Sequence, residues 1–473
     1  MFNLPTVNAY NWKQYAIANP AGYFDLKTYD TGEVPVRLFL TSELLAETEE
    51  NLYQQIINAT RFPGVKMVII TPDAHYGYGV PVGCVIITDG TVAMGPVGYD
   101  IGCGIFSARS NVSAEEATPK KRLEFNQEVT ERIDMGVGSS GRGPTGKVVE
   151  REFEELVRGG AEFYIKKYGA RVDRSRAERN RIPVEDSWQI PWGGKGRPER
   201  GMGQLGSLGG GNHFIELQRC EETGTLFVQA HTGSRGFGHG LATNFFELAK
   251  AENFNIKHID LGYFTPDSPH HREYLNAVAA AANFAIINRL MLFEEISKAF
   301  RKVFKAELEL IYEISHNLVQ KEWNAEFGEV WVHRKGATRA FPAGHPGLQG
   351  TIWKDKGHPV LIPGSNRDYS FILRPLEGAE KSGFLVNHGA GRRLSRGAAV
   401  QKLDQEVVDR QYKAAGILVN TDGKVPLDES SACYKSSEEV INAVVGAGLA
   451  EIEYRLWPLA SLKGTEGARK RKK

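Results

Sequence analysis

The stretch Tyr99-Asp100-Ile101-Gly102-Cys103-Gly104 sets one carboxylate and one thiol three positions apart between glycines, directly after a turn-like Gly95-Pro96-Val97-Gly98. Glycines let the main chain bend tightly around an ion, so a thiolate and a carboxylate held this way form a candidate pair of metal ligands. A turn entering a strand at Ile105, with Cys103 as a small buried hydrophobe, would produce the same pattern. The rest of the chain repeats the setting. Asp73 and His75, Asn212 with His213 and Glu216, His231, His316, Ser365 and Ser370, and His388 with Arg392 stand at expected strand ends or beside glycines, where functional residues are commonly placed. Asp, Cys and neutral imidazoles together favour a borderline transition ion such as Mn, Zn, Fe or Co over Ca or Mg, and ligand type does not choose among the four. Arginines in glycine-rich loops (Arg235, Arg392, Arg393, Arg396) and the glycines of 201–211 suit phosphate, through guanidinium forks and exposed backbone N–H groups. The run 206–211 matches neither the P-loop nor the dinucleotide fingerprint and specifies no nucleotide by itself.

The elements that must carry these groups follow from hydrophobic period and turn residues. Helices are expected at about 43–59, 119–133 and 147–168, over 268–313 as two helices or one broken helix, and near 397–415 and 437–454. Strands are expected at 65–70, running into Asp73 and His75, and at 105–110, 214–217 and 226–230, the last delivering His231. Further strands are expected at 329–334, 360–362, 371–374 and 384–386, the last delivering His388. A hairpin is expected from 81–88 and 91–94 around Asp89-Gly90. Between 169 and 201 the chain turns polar and rich in Arg, Pro and Gly, which reads as a long excursion or lid-like loop and not as a linker. Strands and helices come in clusters without regular alternation, which predicts an α+β fold, with mixed sheets packed by helices around a central cleft. Candidate groups lie from residue 73 to residue 463, so 1–473 is expected to form a single domain, with 465–473 a disordered basic tail.

Composition narrows the setting. A net charge of +1 gives no global basic field, so any nucleic-acid surface has to be a local patch. Four cysteines without a CxxC pair argue against a disulfide framework or a zinc knuckle and fit a reducing cytosol. The N-terminal sequence lacks a basic region followed by an apolar one, and no apolar run approaches the roughly 20 residues of a membrane span. A cytoplasmic protein without membrane contact is expected.

In chain order, the segments PDAHYGYGVPVG, YDIGCG, GGGNHFIEL, HTGSRG, SHN, PGS, NHGAGR and LKG closely resemble those of the RtcB family of RNA-splicing ligases. The resemblance covers nearly the whole chain. It implies a GTP- and Mn(II)-dependent ligase that joins an RNA 3′-phosphate or 2′,3′-cyclic phosphate to a 5′-hydroxyl, in tRNA splicing or RNA repair. It also implies that Cys103 bridges two Mn ions, one completed by His231 and His316 and the other by Asp100 and His213. His388 would be the guanylylated nucleophile, leading to an RNA(3′)pp(5′)G intermediate. Asn212, Glu216, Ser365, Ser370, the run Gly389, Ala390, Gly391 and Arg392, and Lys463 would hold GTP. Asp73 would sit near the metals, and Arg235 is a candidate RNA-phosphate contact.

Three features depart from the family pattern. Asn366-Arg367-Asp368-Tyr369 stands where Met-Gly-Thr and a variable residue are expected, beside the GTP site. Cys84 replaces a usual Gly, and a nine-residue extension follows Gly464. An activator resembling archease, and a monomeric or homodimeric state, stay open at this level. Two other readings of the same residues are a metal-dependent phosphoesterase that hydrolyses cyclic or terminal RNA phosphates without ligation, and a non-catalytic RNA-end binder.

Overall fold

The computed structural model describes residues 7–141, 148–177 and 181–464; the expected basic tail, 465–473, lies outside them. Its centre is one helix, His270–Phe304, of 35 residues. Alanine, phenylalanine, leucine and isoleucine run almost all the way round it, and such a helix must be buried on every side. It is long and apolar enough by composition to cross a membrane, yet 94 % of its most apolar stretch is buried inside this fold. It is therefore a core helix. Helices Pro119–Arg132, Glu150–Tyr168 and Arg235–Glu252 pack around it, as does one face of a sheet.

That sheet has the strand order Glu309–Ser315, Gly104–Ser113, Thr225–Thr232, Phe214–Cys220, Ala450–Lys463, Ser370–Pro375, Val360–Ile362, with Leu418–Val419 pairing in parallel onto Ala450–Lys463. A second sheet has the order Ala16–Asn19, Tyr23–Leu26, Val36–Leu38, Val65–His75, Val82–Thr88, Gly328–Lys335, Asn317–Asn324. Both sheets are largely antiparallel, and helices cover them in clusters, so the α+β expectation holds.

Several sequence expectations need correction. Residues 43–59 form two helices, Ser42–Glu47 and Leu52–Ala59. The hairpin around Asp89-Gly90 does not pair with itself: Val82–Thr88 lies between Val65–His75 and Gly328–Lys335, while Val92–Ala93 pairs with Tyr263–Phe264. The expected helix of 437–454 stops at Gly446, and Ala450–Lys463 is a strand in the middle of its sheet. Its Glu, Arg and Lys residues disguise a half-buried strand as a helix surface. Residues 309–324, read partly as the end of a helix, are two strands that meet at His316. The Arg-rich excursion of 169–201 packs down: Val184, Trp188 and Ile190 are buried, and Asn283 and Asn276 of the long helix accept hydrogen bonds from Ile182 and Glu185 N–H. His271 at the start of the long helix is buried against the Gly90 carbonyl at 2.8 Å.

Candidate active site

Register brings the chemistry to one sheet end. Ser315 pairs with Gly104, Gly104 with Thr232, His231 with Phe214, and Phe214 with Lys463. Five neighbouring strands therefore place Cys103, His231, His213, His316 and Lys463 on or beside one row. The second sheet contributes Asp73 and His75 from the end of Val65–His75, and the short strand Leu385–Asn387 delivers His388. The turn at Cys103 depends on close approach. A side chain at Gly102, where φ is +76°, would meet the long helix 2.9 Å from Ala282 Cα, and one at Gly104 would meet the Ile314 carbonyl at 2.2 Å.

Cys103 stands at the meeting of two donor groups, Cys103-His231-His316 and Asp100-Cys103-His213. Its sulfur lies 3.2 Å from His231 Nε2 and 3.6 Å from His213 Nε2, and His213 Nε2 lies 3.0 Å from Asp100 Oδ2. The Leu208 carbonyl faces His213 Nδ1 at 2.9 Å, and the Asn212 carbonyl faces His231 Nδ1 at 3.2 Å. A carbonyl only accepts, so each Nδ1 carries the proton and each Nε2 presents its lone pair to the cluster. Burial holds the His231 and His316 imidazoles far below their usual range, keeping both neutral. Burial pushes the Asp100 carboxyl up, but the His213 imidazole outweighs it and holds the group strongly acidic.

This donor set fits a divalent transition ion. His316 Nδ1 is buried without a hydrogen-bond partner among the described residues, and its Nε2 faces His231 Nε2 at 3.2 Å. Wherever the His316 proton sits, one nitrogen is left unpaired, a situation that a cation among the lone pairs resolves. Burial, and next the Asp100 carboxylate, push the Cys103 thiol well above its ordinary value. A bound cation is what would deprotonate it. Cys84, Cys220 and Cys433 are buried and free elsewhere in the fold.

A cavity of about 430 Å³ opens over these groups. Of the expected residues, Asp100, Cys103, Asn212, His231, His316, Ser365, His388, Gly389, Ala390, Gly391, Arg392 and Lys463 line it. Glu216 and Ser370 lie behind its wall: the Ser370 hydroxyl accepts from Gly364 N–H at 3.0 Å and from Gln218 at 3.1 Å, which props the turn that presents Ser365. Burial raises Glu216 to about 7. Asp73 falls outside both donor groups and instead supports His388. Its Oδ2 lies 2.6 Å from His388 Nδ1 and accepts from the N–H groups of His388 and Gly389 at 3.1 and 3.2 Å. Burial raises the Asp73 carboxyl, but the His388 imidazole and the Thr71 hydroxyl outweigh that and hold it ionised. The His388 ring stands 4.8 Å from the His316 ring, centre to centre. Arg235 points into the loop before His213 and donates to Ser207, Gly136 and Ser139.

Sequence reasoning missed Glu429, which stands beside the cavity wall and is 3 % exposed. Its carboxylate meets Lys463 at 3.3 Å, Arg396 at 2.9 Å, Arg392 at 3.2 Å and the Tyr434 hydroxyl at 2.6 Å. Lys335, whose ammonium donates to Tyr78 and Val80 carbonyls and is lowered by burial to about 8, was also passed over. Neither has a local sequence signal, since each is a charged residue in an unremarkable stretch. The unusual 366–369 loop is fastened by three contacts to two residues, Tyr412 and Ser437. Asn366 accepts from the Tyr412 hydroxyl, Arg367 lies over the Tyr412 ring, and Asp368 accepts from Ser437 N–H at 2.8 Å.

A family model described as tRNA-splicing ligase RtcB matches residues 55–464. The tRNA-splicing ligase RtcB of Thermococcus kodakarensis is 34 % identical over 470 residues, which cover 91 % of this chain and 95 % of that one. The corresponding protein of Archaeoglobus fulgidus is 34 % identical over 475 residues, covering 93 % and 96 %. The RNA-splicing ligase RtcB of Mycobacterium tuberculosis is 34 % identical over 440 residues, covering 87 % of this chain and 100 % of its own. With a match across the segment that carries every ligand described above, this chain belongs to the RtcB family.

Proposed function

We propose that this protein is a GTP- and Mn(II)-dependent RNA ligase, working in the cytoplasm as one folding unit, that joins 3′-phosphate or 2′,3′-cyclic phosphate ends to 5′-hydroxyl ends. The observation that carries the reading is the 2.6 Å approach of Asp73 Oδ2 to His388 Nδ1, on the cavity wall beside two donor groups that share Cys103. An ionised Asp73 keeps the proton on Nδ1 and leaves the Nε2 lone pair as a nucleophile, the arrangement by which a carboxylate activates an imidazole. Two Mn(II) ions, one held by Cys103, His231 and His316 and one by Asp100, Cys103 and His213, would neutralise charge on the phosphoryl oxygens.

In this reading Asn212, Ser365, the backbone of 389–391, Arg392 and Lys463 hold GTP, with Glu216 and Ser370 stiffening the wall behind. Nε2 of His388 bonds to the α-phosphorus as pyrophosphate leaves. An oxygen of the RNA 3′-phosphate then takes that phosphorus from His388, restoring the Nε2 lone pair and forming RNA(3′)pp(5′)G. The 5′-hydroxyl attacks the 3′-phosphorus, its proton is lost to solvent, and GMP departs. A cyclic end is first opened by water to a 3′-phosphate. Arg235 stays a candidate contact for an RNA phosphate, though it would have to give up its hydrogen bonds to the loop before His213.

The test is incubation with Mn(II) and GTP labelled at the α-phosphorus. An acid-labile, alkali-stable label that is absent from His388→Ala supports the reading, and an unlabelled wild-type protein overturns it. The shared-thiol pair of donor groups would by itself suit a phosphoesterase; a hydrolase needs no GTP and yields no joined strand, so product analysis separates the two.

A further inference from the structure

We infer that two consecutive residues of the long helix, Asn288 and Arg289, position the two donor groups separately: Arg289 the Cys103-His231-His316 group, and Asn288 the Asp100-His213 side. The inference rests on the metal-centre reading above and goes beyond it by assigning residues that touch neither ion nor substrate.

Arg289 and its partner Glu313 are completely buried. The guanidinium is spent almost wholly on residues next to ligands. It donates to the carbonyl of Gly102, just before Cys103, at 2.7 Å, and to the carbonyl of Thr232, just after His231, at 3.1 Å. It donates to the Ser315 hydroxyl, just before His316, at 2.7 Å, and its Nε donates to Glu313. One planar fork with five donors thus ties together the three chain segments that bring these ligands. A buried ion pair of this kind is a weak source of stability compared with a well-packed apolar pair, so its geometry is the more informative feature.

Asn288 serves a different set. Its Oδ1 accepts from Gly206 N–H at 2.7 Å, and its Nδ2 donates to the Ser207 carbonyl at 3.1 Å and the Gly233 carbonyl at 3.3 Å. It also donates to the Thr232 hydroxyl at 3.3 Å, and that hydroxyl donates at 2.7 Å to the Leu208 carbonyl, the group that orients His213. Beyond Gly233, Ser234 N–H donates to Asp100 Oδ1 at 3.1 Å. Successive helix residues diverge by about 100°, so one turn of a rigid helix reaches two loops without moving either against the other.

The experiment uses the full chain and Mn(II) alone, without nucleotide or RNA, with free Mn(II) followed by its paramagnetic resonance signal. In a His316→Ala background the Asp100-Cys103-His213 group is read by itself; there Asn288→Ser should weaken Mn(II) binding about tenfold, within the range for outer-shell partners, while Arg289→Met/Glu313→Leu, which reaches this group only through the Gly102 carbonyl before Cys103, weakens it less, by about threefold. In a His213→Ala background the pattern should reverse. The double replacement removes both buried charges together, so it leaves neither stranded. Ser315→Ala, which deletes one Arg289 contact and little volume, is the gentler variant and should weaken binding only in the His213→Ala background. If the helix variants weaken both groups equally, or neither, the inference fails while the metal centre stands. A wild-type protein that binds no Mn(II) overturns the metal-centre reading and the inference with it.

Discussion

On one side of the cavity the donors are short side chains at strand ends, and the backbone decides their state: carbonyls of Leu208 and Asn212 fix the tautomers of His213 and His231, and Ser234 N–H holds Asp100. On the other side, Lys463, Arg392 and Arg396 reach in on long side chains and converge on the single carboxylate of Glu429. The first region is pre-organised by hydrogen bonds that a ligand need not disturb. The second is pre-organised by charges that satisfy one another, so an anionic ligand arriving there, as the proposed GTP would, has to share cations already in use. A metal site built this way tolerates little movement, whereas a nucleotide site built this way trades ion pairs as it fills.

Breaking His388 should produce the largest effect. His388→Ala is expected to lower nucleotide transfer by about 10⁴-fold or more, while Mn(II) binding stays within about twofold, because the imidazole belongs to neither donor group. Label transfer and metal titration on one preparation check both halves of that statement.

Next is a pH effect arising from the wall behind the cavity. Glu216 is raised by burial from 4.5 to about 7, so the folded state favours its neutral form. The folded protein then binds more protons than the unfolded chain between those values. Stability from this group is full below about pH 4.5 and declines as pH rises toward 7, by up to about 3 kcal/mol. Denaturant midpoints across this window should fall for the wild type relative to Glu216→Gln, and parallel curves would refute the assignment.

On the metal side, Cys103→Ser should weaken both Mn(II) sites together, by roughly 10- to 100-fold each, whereas a terminal-ligand change such as His316→Ala should strike one. A variant that kept both ions bound tightly would remove the shared thiol from the centre of this description. The smallest change expected is in Glu429→Gln, which loosens Lys463, Arg392 and Arg396. It should raise the KM for GTP by about tenfold and leave Mn(II) affinity unchanged, which sharpens the contrast between the two sides. An equal loss of metal binding would erase that contrast.

The same contrast explains what could be read without coordinates. Cys103, His213, His231 and His388 were legible because each stands in a glycine-rich turn whose chemistry is local, and His316 because it sits in the short polar run Ser315-His316-Asn317. Glu429 and Lys335 were not, since their significance arises only when distant strands meet. Among the elements, the helix Pro119–Arg132 and the strand Val360–Ile362 follow local pattern closely. Ala450–Lys463 does not, because charged residues on its outer face imitate a helix and only pairing with Phe214–Cys220 and Ser370–Pro375 makes it a strand. Ser370 was expected at the ligand surface, but its hydroxyl is occupied by Gly364 and Gln218; a serine beside a turn reads alike in either role.

The place of that strand has a consequence for how the molecule is made. Ala450–Lys463 is inserted between Phe214–Cys220 and Ser370–Pro375, far apart in sequence and both earlier than it. A nascent chain that has emerged only through residue 449 already holds His388 and every residue of the two donor groups, yet its sheet is split in two and Lys463 is missing. Pairing of this kind joins segments of large sequence separation and is intrinsically slow. Synthesis order therefore makes the Lys463 side the last part of the cavity to close, and a half-made chain holds both donor groups' residues before that wall exists.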